Sequence, residues 1–253
     1  IASEMGWQVS DFATGLIVRD YKSFPSGYLA SAPSAPDSWL VPEVEWAERL
    51  KEQQALRESA WDLREKYYPI LKSLNQKTFP LCWGFSTTKV LMYLYAAAGD
   101  PQIFSPWWTA GVSNGWKSQG GWCTLSLEGA AKVGMVPMAS CPEFNSRNAT
   151  TETMALAAKR KCIEWWDGSE DRDRNRAIMI SAYLLGLVPV QDHNHIGHSM
   201  SGCRLVSIDP LIVDCDNSWD AISDFGEKGL YRLKGRNAIP DGITVPRVIQ
   251  PAA

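Results

Sequence analysis

The sequence predicts an α+β fold of two lobes. Helical periodicity dominates the first half, strand-like runs broken by turn residues dominate the second, and the 253 residues are 45% hydrophobic and 21% charged. That is enough chain for one large globular domain. The first 42 residues stand apart from it. Phe24-Pro25-Ser26-Gly27 and Ala32-Pro33-Ser34-Ala35-Pro36 favour extended backbone and offer little for a core of their own, so residues 1–42 read as an arm.

Residues 43–68 change to Glu, Lys, Arg, Ala and Leu, with Trp46, Leu50, Leu56, Trp61 and Leu63 at helix-like intervals. One long amphipathic helix is expected there, ending before Pro69. A second helix should open at Cys82 and run through Val90, Leu91, Leu94 and Tyr95 to the Gly99-Asp100-Pro101 break. Between positions 105 and 121, Trp107, Trp108 and Trp116 lie among Gly, Ser and Asn, which reads as a loop with aromatic anchors suited to lining a cleft. Further helices are expected over 124–133, closed by Gly134, and over 151–166, with the run Glu170-Asp171-Arg172-Asp173-Arg174 as a solvated loop. Helix returns over 176–185. Strands then follow over 186–191, 203–208, 211–215 and 229–233, with a turn at Asp209-Pro210.

A net charge of -3 supplies no basic field to gather nucleic acid or anionic lipid, so neither is assigned as a partner. No apolar run approaches the roughly 20 residues that span a bilayer, and Ile1 to Trp7 lack a basic start followed by an apolar signal core. The expectation is a soluble chain whose compartment is not encoded. Six cysteines, at 82, 123, 141, 162, 203 and 215, are too sparse for a disulfide-built fold. Cys203 and Cys215 flank the hairpin near Asp209 either as buried thiols or as a cross-strand bridge, and packing is the simpler reading.

A cysteine at the start of a helix, with an imidazole within reach, is a reactive arrangement, because dipole and cation both favour the thiolate. Cys82 fits the first condition. All three histidines, His193, His195 and His198, fall in one patch, so any base for Cys82 comes from there. The same H-x-H-x-x-H run with Asp192 has metal-ligand character, but use of His198 as a base competes with ligation, and neither metal nor cofactor is assigned. Taken alone, a lone helical cysteine is more often core packing than nucleophile.

The surroundings of these residues change that balance. Gln76 stands six positions before Cys82-Trp83-Gly84-Phe85-Ser86, Gly120-Gly121 precedes a helix closing on Gly134, and His198-Ser199-Met200 is followed by Asn217-Ser218-Trp219 and by Phe225-Gly226-Glu227-Lys228-Gly229-Leu230-Tyr231-Arg232. Five motifs in this order resemble the papain-like cysteine proteases, the group of papain and the cathepsins, over residues 68–233. The resemblance implies a papain-like two-lobe fold in residues 43–253, with a helical lobe over 69–150 and a mixed, β-rich lobe over 151–253. His198 and Asn217 follow Cys82 by 116 and 135 positions, against about 130 to 150 in the family, which implies a shortened second lobe. The cysteine usually found three residues before the nucleophile is Phe79 here, so the family's bridge at that point is absent.

What the resemblance implies for chemistry is a Cys-His-Asn triad. Cys82 is the nucleophile, His198 the base, and Asn217 the acceptor that orients the imidazole. The side-chain amide of Gln76 and the Cys82 N–H donate to the oxyanion. Gly120 and Gly121 bind the backbone of an extended peptide or protein substrate, Ser199 borders its side-chain pocket, and Trp219 shields the His198–Asn217 contact. Peptide-bond hydrolysis through an acyl-enzyme is the implied reaction. An alternative from a different class is a papain-fold module with weak or no turnover, serving as a structural or binding subunit of a larger assembly, for instance a viral particle, through residues 1–42. A transferase using the same acyl-enzyme is a third.

Overall fold

The structure is a computed structural model and describes residues 15–24, 32–57, 59–68, 70–219 and 229–250. The remainder of the arm, including Phe24-Pro25-Ser26-Gly27 beyond its first residue, and the motif residues Phe225, Gly226, Glu227 and Lys228 lie outside the described residues.

The fold is α+β. Helix α1 spans Trp46–Leu56 and α2 spans Ala60–Lys66, where one continuous helix was expected. Two local features divide them: Arg57 takes a left-handed φ of 52°, and Ser59 forms a reciprocal capping box with Asp62, which starts a new helix more favourably than it continues an old one. Helix α3, Cys82–Ala97, opens where expected. Residues 106–114, read as loop, form helix α4, Pro106–Asn114. Ser105 caps it, Pro106 sits at its first position, and Gly115 closes it at φ 68°, a start-and-stop pattern in its own right. Its Trp107 and Trp108 are buried in the core instead of lining a cleft; Trp107 packs edge-on to Phe85, centroids 4.7 Å apart.

Helix α5 covers Cys123–Lys132 and α6 Thr151–Ala157. The second half of the expected 151–166 helix is strand β1, Cys162–Asp167, and the expected solvated loop contains the start of α7, Arg172–Leu184, capped by Asp171. Strands β2 (Val190–His193), β3 (His198–Ile208), β4 (Leu211–Asp216), β5 (Leu230–Lys234) and β6 (Gly242–Ile249) complete an antiparallel sheet in the order β1-β6-β2-β3-β4-β5. The β2 strand begins later than the predicted 186–191, and β6 has no counterpart in the sequence reading. Cys203 and Cys215 are free buried thiols.

Two apolar clusters fill the interior. One surrounds α3, α4 and α5 with Trp83, Leu91, Trp108 and Trp165; the other joins α7 to the sheet through Met179, Ile180, Val213 and Val245. Buried hydroxyls knit α3 to its neighbours, Thr88 to Thr109 at 2.7 Å and Thr87 to Ser126. Gly84 allows α4 to lie close against α3, because a Cβ there would stand 2.7 Å from that of Ala110. Among the described residues, no helix is long and apolar enough to cross a membrane. The head of α3 meets the start of β3 and the end of β4, and every candidate residue lies along that seam or beside it.

Candidate active site

The loop before α3 is built to present Cys82. The Asn75 side chain accepts from the Lys77 N–H at 2.7 Å while Lys77 adopts φ 54°, a side-chain-made turn. Gln76 ties the loop across the seam: its N–H donates to the Ser218 carbonyl at 2.9 Å, and its side-chain oxygen accepts from the Ser218 hydroxyl. Cys82 is then the first residue of α3, in the turn whose amides have no acceptor within the helix. The Gln76 amide donates to the Phe79 carbonyl at 2.9 Å.

On the other side, the short turn Asn194–Ile196 ends at Gly197, φ 60°, and places His198 at the head of β3. The His198 Nε2 lies 3.1 Å from Asn217 Oδ1, and the Trp219 ring stacks on the imidazole with centroids 3.9 Å apart. Since Asn217 Oδ1 also accepts from the Trp219 N–H at 3.2 Å, the carboxamide oxygen faces the ring and Nε2 carries the proton. That leaves Nδ1 as the basic nitrogen, buried and without a hydrogen-bond partner. Ser199, expected at a pocket rim, is fully buried, because its hydroxyl pairs with Ser86 of α3 at 2.9 Å.

The cleft is occupied by the chain's own arm. Leu16 forms a parallel bridge with Gly121: the Gly121 N–H donates to the Gly15 carbonyl and the Ile17 N–H to the Gly121 carbonyl, both at 2.9 Å. The Leu16 N–H reaches the Gly197 carbonyl at 3.2 Å. Gly120 is required by this approach, since a Cβ there would meet the Gly15 oxygen at 2.6 Å, whereas Gly121 is required by packing within the body, where a Cβ would stand 2.7 Å from the Trp83 ring.

Burial sets the protonation of both Cys82 and His198. Burial pushes the Cys82 thiol up to about 12, against the opposing pull of the Ser199, Gly15 and Trp83 backbone groups. Burial likewise pushes His198 down to about 3, although the Asn217 bond favours its charged form. The ion pair implied by the resemblance is therefore replaced, in this covered state, by a neutral thiol and a neutral imidazole.

His193, opposite His198 in the β2–β3 register, is fully buried with both ring nitrogens unpartnered, and burial with the neighbouring His195 and His198 lowers it to about 3. Both rings bind protons in the unfolded chain near pH 6.5 but not in the folded one, so stability is complete above pH 6.5 and is lost as pH falls toward 3. One pH unit of withheld protonation per ring corresponds to about 1.4 kcal/mol. From pH 6.5 to pH 4 the two rings together withhold about 7 kcal/mol, so the expected result is a fall in Tm of roughly 15–25 °C between pH 7 and pH 4, about half of it abolished by His193→Phe. A pH-independent difference between the two proteins would contradict the assignment. Among the described residues, no group of three or more His, Cys, Asp or Glu is placed to hold a metal ion.

No protein-family model matches the chain, and no curated protein sequence does. Solved structures do match. Procathepsin L 3 from the larval midgut of Tenebrio molitor is 15% identical over 70% of this chain and 66% of its own, with a TM-score of 0.55. Xylellain, a cysteine protease from Xylella fastidiosa, is 12% identical over 94% of this chain and 97% of its own, TM-score 0.62. The SERA5 proenzyme from Plasmodium falciparum is 12% identical over 98% of this chain and 73% of its own, TM-score 0.56. The fold is papain-like.

Proposed function

We propose that this chain is a thiol peptidase held latent by its own arm. The observation that carries the reading is the His198 imidazole, oriented by Asn217 and capped by Trp219, at the seam with Cys82, beside a Gly121 edge that already holds an extended peptide segment. Once the arm leaves, water re-enters, burial no longer opposes charge, and the thiol proton moves to His198 Nδ1. The α3 dipole adds to thiolate stability. The thiolate sulfur bonds to the substrate carbonyl carbon, and the oxyanion takes the Cys82 N–H and, after it turns from Phe79, the Gln76 amide. His198 gives its proton to the leaving amine, then takes one from the water that releases the acid.

Arg19 clamps the arm to the body, so Arg19→Ala opens the cleft without shortening the chain. Incubation with the thiol reagent E-64 and intact-mass measurement should give an adduct on Cys82 at least about 10-fold faster in Arg19→Ala than in the parent, since thiolate fraction and access control the rate. Asn217→Ala should lower turnover of the opened chain less than loss of the thiol does, on the order of 10²-fold, because orientation of the base is weakened and not removed. A second reading, a papain-fold subunit without turnover that docks into a larger assembly through residues 1–42, is favoured by the buried neutral pair. Its expected result is no adduct in Arg19→Ala.

A further inference from the structure

The arm does more than cover the cleft, because it delivers one charged side chain into the body. The Arg19 guanidinium donates from two nitrogens to the two oxygens of Asp167, at 2.7 and 2.8 Å, and from Nη1 also to Thr124 Oγ1 at 3.1 Å. Thr124 in turn donates to Asp167 Oδ1 at 3.0 Å, which orients its lone pairs toward the arginine. Asp167, the last residue of β1, is wholly buried, and Arg19 is 9% exposed.

A second carboxylate stands on the other side of Arg19, which bonds Asp167 and also lines a small hollow. Asp192 on β2 lines it together with Arg19, Cys123 and Asp241. Its Oδ2 accepts from the Cys123 N–H at 2.9 Å, while Oδ1 is buried with no hydrogen bond of its own, the Ser199 hydroxyl nearby favouring the charged carboxylate. Asp241 is balanced by Arg172 at 3.2 Å; Asp192 is 4% exposed, and Arg19 is the cation that acts on it across the hollow. Two carboxylates on either side of one guanidinium attract a cation in preference to a neutral side chain, and a ligand that covers them again without bringing a cation leaves them unfavourably buried. A planar fork fits Asp167 with Thr124 as an ammonium does not. The position also suits a substrate. Cys123 and Thr124 follow directly on Gly121-Trp122, so the hollow adjoins the edge where an extended peptide pairs.

Resting on the peptidase reading, we propose that Asp167, Thr124 and Asp192 form an arginine-recognition pocket of the cleft, filled by Arg19 in the covered chain and by an arginine of the substrate in the open one. Asp167 is its specificity-determining residue, and Arg19 acts as a built-in occupant. Cleavage is expected to favour peptides with arginine at one position near the scissile bond.

The test uses the full chain carrying Arg19→Ala and a set of peptides in which arginine, lysine, citrulline or leucine is moved through the four positions before the scissile bond. At one position kcat/KM for arginine should exceed that for citrulline, its uncharged near-isostere, on the order of 10²-fold, with lysine between them. Asp167→Asn or Asp192→Asn in the same chain should erase most of that ratio, mainly through KM. Equal rates for arginine and citrulline at every position, or a ratio unmoved by both substitutions, overturn the pocket. If no peptide is cleaved and E-64 leaves Cys82 unmodified, the peptidase reading fails separately. The pocket is then decided by calorimetry of Cys82→Ala/Arg19→Ala with the arginine and citrulline peptides. Binding of the first at least about 10-fold tighter upholds it, and equal or absent binding overturns it.

Discussion

Cys82→Ala, made in the chain opened by Arg19→Ala, is expected to lower peptide kcat/KM on the order of 10⁴-fold or more while moving the unfolding free energy by no more than about 1 kcal/mol. The size of the effect follows from removing the atom that forms the acyl bond: what survives in such sites is the modest contribution of substrate binding and the oxyanion donors. The small structural effect follows from position. Cys82 is the first residue of α3, and its side chain bridges no disulfide, so alanine keeps the helix start and deletes one sulfur. Steady-state assay beside urea unfolding checks both halves. Equal activity of Cys82→Ala and its parent would sink the mechanism.

Asp216→Ala is expected to destabilise the fold by about 3–5 kcal/mol, the range for breaking a buried ion pair from one side. Asp216 closes β4 immediately before Asn217. Its Oδ2 accepts from Arg64 Nε at 3.0 Å and from Tyr93 at 3.2 Å and pairs with Lys89 at 3.3 Å. Arg64 and Lys89 are 0% and 2% exposed. One carboxylate thus serves two buried cations. Burial has already pushed Lys89 down to about 8, and without Asp216 its charged form loses the largest influence opposing that burial. Urea midpoints measure the loss. Lys89→Met added to Asp216→Ala should recover part of it, by removing the cation left without that carboxylate; a double variant no more stable than the single would contradict the account. Activity should fall further than stability alone explains, since the segment carrying Asn217 is anchored through Asp216.

Much of the fold was legible locally. Val90, Leu91, Leu94 and Tyr95 leading to the Gly99-Asp100-Pro101 break mark α3, and Gly134 closes α5, because periodicity and glycine conformations act over a few residues. One misread element was decided by a distant partner that overrules local texture, while the split of α1 from α2 turned on the local Arg57 turn and the Ser59–Asp62 box. Cys162-Ile163-Glu164-Trp165-Trp166-Asp167 is a strand because β6 pairs with it, and strand preference depends on such partners. Helix α4 was hidden for a different reason: three tryptophans among small residues suggested a loop, although Ser105-Pro106 and Gly115 carried the helix signals.

The sequence by itself determined which atoms are available for chemistry: a thiol at a helix start, an imidazole at a strand start, a carboxamide ahead of a tryptophan, and a glycine pair for close backbone approach. Only the tertiary structure decided their charge and their covering. Burial pushes the Cys82 thiol up and His198 down, residues 15–17 lie along the Gly121 edge and reach Gly197, and Arg19 meets Asp167 across 148 positions of chain. Desolvation and ion pairing depend on what surrounds a group in space, and no local pattern records that.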